Sequence, residues 1–548
     1  MRSGLRQGGV SLSLALLMLG SLAGAAAQGL DAAPSIADDP AGLPPLSRPA
    51  SPVTPPAVVA PAPAVTPAAP VVVPAAPVVV PAAPVPDAPV SEASEAGSKS
   101  NLGPAVSRRS GSGGTGTNIY AALADAYDRN PTLNAQRAAT RAADESLAIA
   151  KSGYRPQVFA DVSVGFNRAI TRAGGVTQGS TQLPLQYGVR ISQSLFQGFQ
   201  VVNSVNQAEA QIRGARAQLA VVEQDVLLNA AAAYIDIAFF QELVRVRRAD
   251  TSFLREQVRS AQARLEVGEG TRTDVAETRA RLSLARSAIT TAEAQLAAAR
   301  ATFRQAVGRP ASNVSFPPVP RRLIPNAVAQ VTAVALSRNP AIRGSEHLID
   351  AQAFAVKVEE GALLPSLSAN VEAGETRDFG EADTRSTSVT GTLRLSIPLY
   401  QGGAASARVR QAKESLGERR IILDQTRDQV RVQAVSAFAS YSAAEQVVVS
   451  SRQQVAAARL ALSGVIEERN VGQRTQLDVL QAQATVLSAQ EGLAGAFRDR
   501  ATSAFQVLAS MGRLTARGLR LRVDAYDPRD HYAQVADPWF GLRTPDGR

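Results

Sequence analysis

The chain writes one long unit twice. VGEGTRTDV, Val267 to Val275, returns as VGQRTQLDV, Val471 to Val479, 204 positions on. At the same shift Ser194-Leu195-Phe196-Gln197-Gly198 matches Pro398-Leu399-Tyr400-Gln401-Gly402, and Val307-Gly308 matches Met511-Gly512. Arg129-Asn130-Pro131 and Arg338-Asn339-Pro340 stand 209 apart, as do Arg155-Pro156 and Leu364-Pro365. Two copies of a unit of about 200 residues imply two similar bodies that bury their faces against each other or against further copies. The five-residue difference between the shifts falls between residues 156 and 194, and exposed loops absorb length changes most easily.

Both copies run through the same internal order. A helix is expected over Ile119–Ser152 and again over Val328–Gly361. Two alternating stretches follow. In the first copy Val158, Ala160, Val162, Val164 and Phe166 alternate with polar residues, and after a polar loop so do Leu185, Tyr187, Val189 and Ile191. In the second copy the apolar sets are Leu367, Ala369, Val371, Ala373 and Gly391, Leu393, Leu395, Ile397. Period two with one apolar face marks strands half-buried in an apolar surrounding, and a stretch of about 10 residues is the length of a tilted membrane-spanning strand. A helix without proline then runs from about 198 to 265. Val226, Ala230, Ala233 and Ile237 begin a heptad seam that the second copy repeats as Val430, Ala434, Ala437 and Tyr441. Such a seam, rich in small residues, packs like a coiled coil. Some 67 residues make a rod of roughly 100 Å. A shorter helix, Thr271–Val307 or Thr475–Met511, turns back along it, and its length plus that of the copy's first helix nearly equals the long one. One long helix packed against two short ones stacked end to end is the expected arrangement.

Composition narrows the function. There is no Cys, and the two His, His347 and His531, are far apart in sequence, so thiolate chemistry and His-based metal or triad sites are not expected. No Gly-rich phosphate loop is visible, so neither an enzyme nor a cofactor is expected. Net charge is +10, but 57 Lys and Arg are interspersed with 47 Asp and Glu, the pattern of solvated helix faces rather than of a nucleic-acid surface. The start of the chain has Arg2 and Arg6, an apolar Val10–Leu22 and an Ala25-Ala26-Ala27 cleavage site, which reads as a signal peptide over 1–27. Residues 28–117 form a Pro/Ala/Val-rich linker that cannot build a core. The repeats are placed at 118–308 and 328–514, joined by a linker at 309–327 and followed by a tail at 515–548. No later apolar run long enough for a transmembrane helix is expected. Four strands per chain cannot close a barrel, and open edges in lipid leave backbone groups unpaired at several kcal/mol each, so other copies must complete the sheet. Two chains would supply 8 strands and three would supply 12. The polar strand face, with Arg190 and Arg394, would line a wet lumen.

SQSLFQGFQ and SIPLYQGGAASARVRQA at the strand-to-helix junctions, with the two Val-Gly-x-x-Thr-x-x-Asp-Val phrases, resemble the TolC-like family of outer-membrane efflux and secretion channels. The resemblance covers about 118 to 514. It implies an α+β fold in which two structural repeats build a trimeric 12-stranded outer-membrane β-barrel, continued by an antiparallel coiled-coil α-helical barrel in the periplasm. It also implies a homotrimer docked to an ATP-driven or proton-driven inner-membrane transporter through a periplasmic adaptor. The tail Tyr526–Arg543 resembles members that serve type I protein secretion; multidrug and small-molecule efflux is the alternative. A periplasmic adaptor or a coiled-coil scaffold is the reading of a different class, and neither needs a duplicated strand pair in register with its coils.

The repeated phrase itself fits a helix-start pattern, with Thr271-x-x-Asp274 and Thr475-x-x-Asp478 as capping boxes and Gly268 and Gly472 ending the preceding helix. The resemblance adds roles. Adaptor hairpins would dock at Val267, Gly268, Gly270, Thr271, Val471, Gly472 and Thr475. Asp274 and Arg474 match positions of closing links between coils, and Asp478 matches an acidic position at the narrowest ring. Two residues depart from the family pattern. Gln481 stands where some members have a second acid, and Arg469 where some have a closing-link Tyr.

Overall fold

The computed structural model describes residues 118–379, 384–545 and 547, all within one compact unit. The expected signal peptide and the Pro-rich linker lie outside them. The first copy comprises α1 (Ile119–Arg129), α2 (Pro131–Lys151), β1 (Gln157–Val164), β2 (Asn167–Ala173), β3 (Val176–Gln182), β4 (Pro184–Gln197), α3 (Gln200–Glu266) and α4 (Arg272–Val307). The second comprises α5 (Val328–Arg338), α6 (Pro340–Gly361), β5 (Ser366–Asp378), β6 (Thr384–Ser396), α7 (Ala404–Asn470) and α8 (Gln476–Ser510); α9 (Pro528–Val535) lies in the tail.

Both long helices have 67 residues. In each copy the long helix packs against the shorter helix that turns back along it. The first helix of each copy, expected as one piece, is two. Pro131 and Pro340 have no N–H to donate, and the residue before a proline is held out of the α region. Asn130 and Asn339 accordingly sit at ψ 124° and 126°. Each break is also a joint. The Asn130 side chain accepts from Thr132 N at 2.9 Å, capping α2, and its Nδ2 donates to Ala306 O at 2.9 Å near the end of α4. Asn339 likewise accepts from Ala341 N and donates to Ser510 O, at 2.9 and 3.0 Å. The end-to-end stack is therefore α4 followed by α2, and α8 followed by α6. The stretches before each proline, α1 and α5, pack to the side, against α3 and α7 respectively.

The sheet runs β1-β4-β5-β6, antiparallel throughout. The register aligns the apolar sets into rows that cross all four strands, Val158–Ile191–Val371–Gly391 and Ala160–Val189–Ala373–Val389. The polar loop expected in the first copy is a separate hairpin, β2–β3, which accounts for that copy's extra length. Gly174 and Gly175 at its tip both have positive φ, the conformation a two-residue hairpin turn requires.

The two copies meet side by side. β4 pairs with β5, and α3 packs on α6. At the junction Gly198 and Gly361 cross back to back, and a Cβ on Gly198 would lie 2.2 Å from Gly361 O. Among the described residues, the equivalent surface of the second copy is left uncovered. Ala231 of α3 is fully buried, while its counterpart Val435 of α7 is 43% exposed. On the opposite flank Ile149 of α2 is 73% exposed, and its counterpart Val358 of α6 is half-buried. Among the described residues, β1 and β6 are unpaired on their outer edges. Contrary to the expectation of no such segment, an 18-residue window inside α3 reaches a mean hydropathy of 1.3; it is 56% buried inside the chain, as a core helix is.

Candidate functional site

The end of the coils away from the sheet carries the two repeated turns, built almost identically. Gly268, at φ +81°, donates to Leu265 O, and Glu269 N reaches back to Arg264 O at 2.8 Å. Gly472, at φ +79°, and Gln473 do the same with Arg469 O and Glu468 O. Both are Schellman closures of the long helix. The next helix opens in a capping box. Thr271 Oγ1 accepts from Asp274 N while Asp274 Oδ2 accepts from Thr271 N, both at 3.1 Å. Thr475 and Asp478 repeat this at 3.2 and 2.9 Å. The Thr475 backbone N–H and hydroxyl hold the Asp478 carboxyl below the usual carboxylate range, so it is charged at neutral pH. Val267 and Val471 stand exposed at the two turns, as does Thr475.

The copies differ in how the turn is tied down. Arg474, where the first copy has Gly270, pairs with Glu468 of its own coil at 2.8 Å, and this bond raises its guanidinium above the ordinary range. Asp274 is occupied by its capping box. Among the described residues Asp274 and Arg474 bond within their own copies and not to each other. Gln481 is exposed on α8.

Arg469 links the two copies near the turns. Although charged, it is only 8% exposed. Its Nη1 donates to Gln257 Oε1 on α3 and to Gln476 Oε1 on α8, both at 2.9 Å, and its Nη2 donates to Asn470 Oδ1 at 3.1 Å. Its Nε is buried without a hydrogen-bond partner among the described residues. Burial, reinforced by the Arg264 guanidinium, pulls its pKa below the ordinary range. Beside Arg469, Gln476 Nε2 donates to the same Gln257 oxygen at 3.3 Å, the lowest rung of a polar ladder between α3 and α8 that no sequence motif announces. Above it Gln483 Nε2 donates to buried Asp250 at 2.6 Å, Arg247 pairs with Glu491 at 2.7 Å, and Arg498 pairs with Asp236 at 2.8 Å. Burial raises the Asp250 carboxyl pKa; the Gln483 amide opposes this and Glu491 adds to it. The only sequence trace is a polar break at roughly heptad spacing on two helices far apart in the chain.

At the other end, Arg190 lies opposite Glu372 in the sheet and within 3.3 Å of Asp161. Arg394 lies opposite Ser368 on the same polar face. That face continues through Ser163, Gln186, Ser192, Asn370, Thr390 and Thr392. The structure thus separates the anticipated residues into two groups, one at each end of the coils.

A sheet with one polar and one apolar face, carried on paired coils that end in capped turns, defines a channel-forming class of outer-membrane protein. A family model described as outer membrane efflux protein matches residues 122–309 and 331–513. The chain is 41% identical over 435 residues to outer membrane efflux protein BepC of Brucella suis, covering 78% of this chain and 93% of that protein. It is 30% identical over 294 residues to alkaline protease secretion protein AprF of Pseudomonas aeruginosa, covering 51% of this chain and 60% of that one. The crystal structure of the CmeC outer membrane channel of Campylobacter jejuni superposes with a TM-score of 0.64 at 16% identity, over 79% of this chain and 94% of that one, a likeness of fold. The chain belongs to the outer membrane efflux protein family: it is a Gram-negative outer-membrane channel protein with a periplasmic helical tunnel, and its relatives are channels rather than enzymes.

Proposed function

We propose that three copies of this chain close one 12-stranded barrel and one ring of coils, and that the tube is the exit duct of a type I protein secretion system. The observation that carries the closure is the interface between the two copies inside the chain. It is heterologous, with one flank of the first copy seated on the opposite flank of the second, and the same two flanks stand open at β6–α7 and β1–α2. A heterologous interface repeats until it closes into a ring or runs on as a filament. Applying the internal shifts to the pair Ile191–Val371 places Leu395 of one chain opposite Val162 of the next, which keeps the apolar face continuous. Because the chain has no Cys, a Leu395→Cys, Val162→Cys double variant gives a clean test. Oxidation should yield a disulfide-linked trimer and each single variant none; monomers alone under oxidation would refute the closure.

In this assembly the six turns surround the periplasmic mouth. Val267, Gly268, Gly270, Thr271, Val471, Gly472 and Thr475 offer the surface for an adaptor, which couples the duct to an inner-membrane transporter. Arg469 holds the second coil against the first. Asp274, Arg474 and Gln481 flank that joint, and three Asp478 carboxylates line the opening as a cation-attracting ring. Arg190 and Arg394 face the lumen. Protein cargo is favoured by the relative that serves alkaline protease secretion and by the tail Tyr526–Arg543, which resembles that of type I secretion members. Small-molecule efflux is the second reading, favoured by the higher identity and fuller coverage of the efflux relative. Deleting the gene separates them: loss of a protein from the culture medium supports secretion, and drug sensitivity with an unchanged medium supports efflux.

A further inference from the structure

The tail after α8 climbs beside α2 toward the sheet, held at every step. Tyr526 N donates to the Tyr127 hydroxyl at 3.0 Å, and the Arg137 guanidinium lies over the Tyr526 ring. One level up, His531 Nδ1 is 3.1 Å from buried Asp144, which also pairs with Arg216, and Arg216 covers the Tyr532 ring. Higher still, Lys151 Nζ donates to Ala536 O at 2.9 Å. At the top Arg155 pairs with Asp537, donates to Pro538 O and stacks on Trp539, 4.9 Å from its centroid. The run follows the whole of α2, a rise of about 30 Å. It ends two residues before the first residue of β1.

What is delivered there is apolar and uncovered. Trp539 is 67% exposed, and Phe540 and Leu542 are almost wholly exposed. Water is a poor reason for so many contacts to place three large apolar side chains. The surroundings name a better one. The helix-side ends of the four sheet strands carry Tyr154, Phe199, Leu364 and Tyr400, one at each end and all exposed. They mark the helix-side rim of the sheet, the level at which a barrel's aromatic girdle meets the headgroups. Trp favours that interface, with its ring in the acyl region and its N–H wet, and Phe and Leu bury their apolar side chains beside it.

We propose that Trp539, Phe540 and Leu542 insert into the periplasmic leaflet of the outer membrane, extending the girdle sideways and anchoring the tail to lipid. The inference rests on the sheet being the bilayer-spanning part. Trp539 is the chain's one Trp, so its fluorescence reports the site directly. The full protein is reconstituted in phospholipid vesicles, with lipids brominated near the headgroup or near the acyl end. The expected result is blue-shifted emission, quenched mostly by the headgroup-proximal bromines and protected from aqueous acrylamide. A companion variant, Trp539→Phe with Leu393→Trp, moves the one Trp to the sheet's apolar face. If the companion is quenched by brominated lipid while Trp539 is quenched only by acrylamide, the tail anchor is wrong and the sheet reading stands. If Trp539 is shielded from both quenchers, it is covered by protein and the proposal fails. If neither Trp responds to brominated lipid, the spanning sheet itself is refuted.

Discussion

Replacing Arg469 by Met keeps an unbranched apolar stem in the buried slot and removes the guanidinium. Of its three acceptors, Gln476 and Asn470 belong to its own copy, and only Gln257 belongs to the other coil. One charge-assisted hydrogen bond between coils is therefore lost, about 1.5–3 kcal/mol gross. Two effects offset part of this. The buried charge and its proximity to Arg264 disappear, and the Gln476 Nε2 to Gln257 contact, at 3.3 Å, remains. A net weakening of the contact between coils by about 1–2 kcal/mol remains, which in the proposed channel would multiply the open fraction by roughly 5–30. Arg474→Met is the contrast, because it breaks only an exposed pair inside one coil, where solvent screening leaves little at stake. In planar bilayers, purified Arg469→Met channels should open more often or conduct more, and Arg474→Met channels should match the parent. If Arg474→Met opens the channel and Arg469→Met does not, the link between copies has been assigned to the wrong residue.

Asn339→Ala removes a helix cap and leaves the Ser510 carbonyl unpaired, costing about 2–4 kcal/mol, and should lower the thermal unfolding temperature of the purified protein in detergent. Asp250→Asn retains the acceptor for Gln483 and removes a buried carboxylate. The folded-state pKa of Asp250 is raised, so its contribution to stability is full below the unfolded value and is lost as pH rises through the folded one. The substitution should therefore stabilise the coils at neutral pH, with a gain that shrinks on acidification; thermal melts showing no pH trend would contradict this. Leu393→Arg places a charge on the exposed apolar face and should cost about 2–4 kcal/mol if that position lies near the bilayer midplane, read as loss of folded protein from the outer-membrane fraction.

The sequence disclosed the elements whose cause is local. Alternation at Val158–Val164 and Leu367–Ala373 became strands, and Thr-x-x-Asp became two capping boxes, because each pattern is satisfied by neighbouring residues. Arg-Asn-Pro stood out as an echo, and its meaning as a break was available in the two prolines themselves. Gly174-Gly175 between Thr- and Val-bearing stretches is likewise a hairpin signature inside the polar loop. The ladder from Arg469 to Arg498 was different. Which polar side chain meets which depends on the register of α3, from one copy, against α7 and α8, from the other. No short stretch contains that information. The tail's path has the same character, since Asp144 meets His531 only after the whole second copy has been laid beside the first.

The joints at Asn130 and Asn339 make the two members of each coil mechanically unlike. α3 and α7 transmit load along an unbroken ladder of backbone hydrogen bonds. The line beside each is spliced from segments remote in the chain, and across the splice tension is borne by an asparagine amide and side-chain packing. A twist applied at the tip therefore meets a stiff rod and a jointed one in parallel. The jointed one yields first, at a fixed height, so the lower coil can swivel while the part below the membrane keeps its shape.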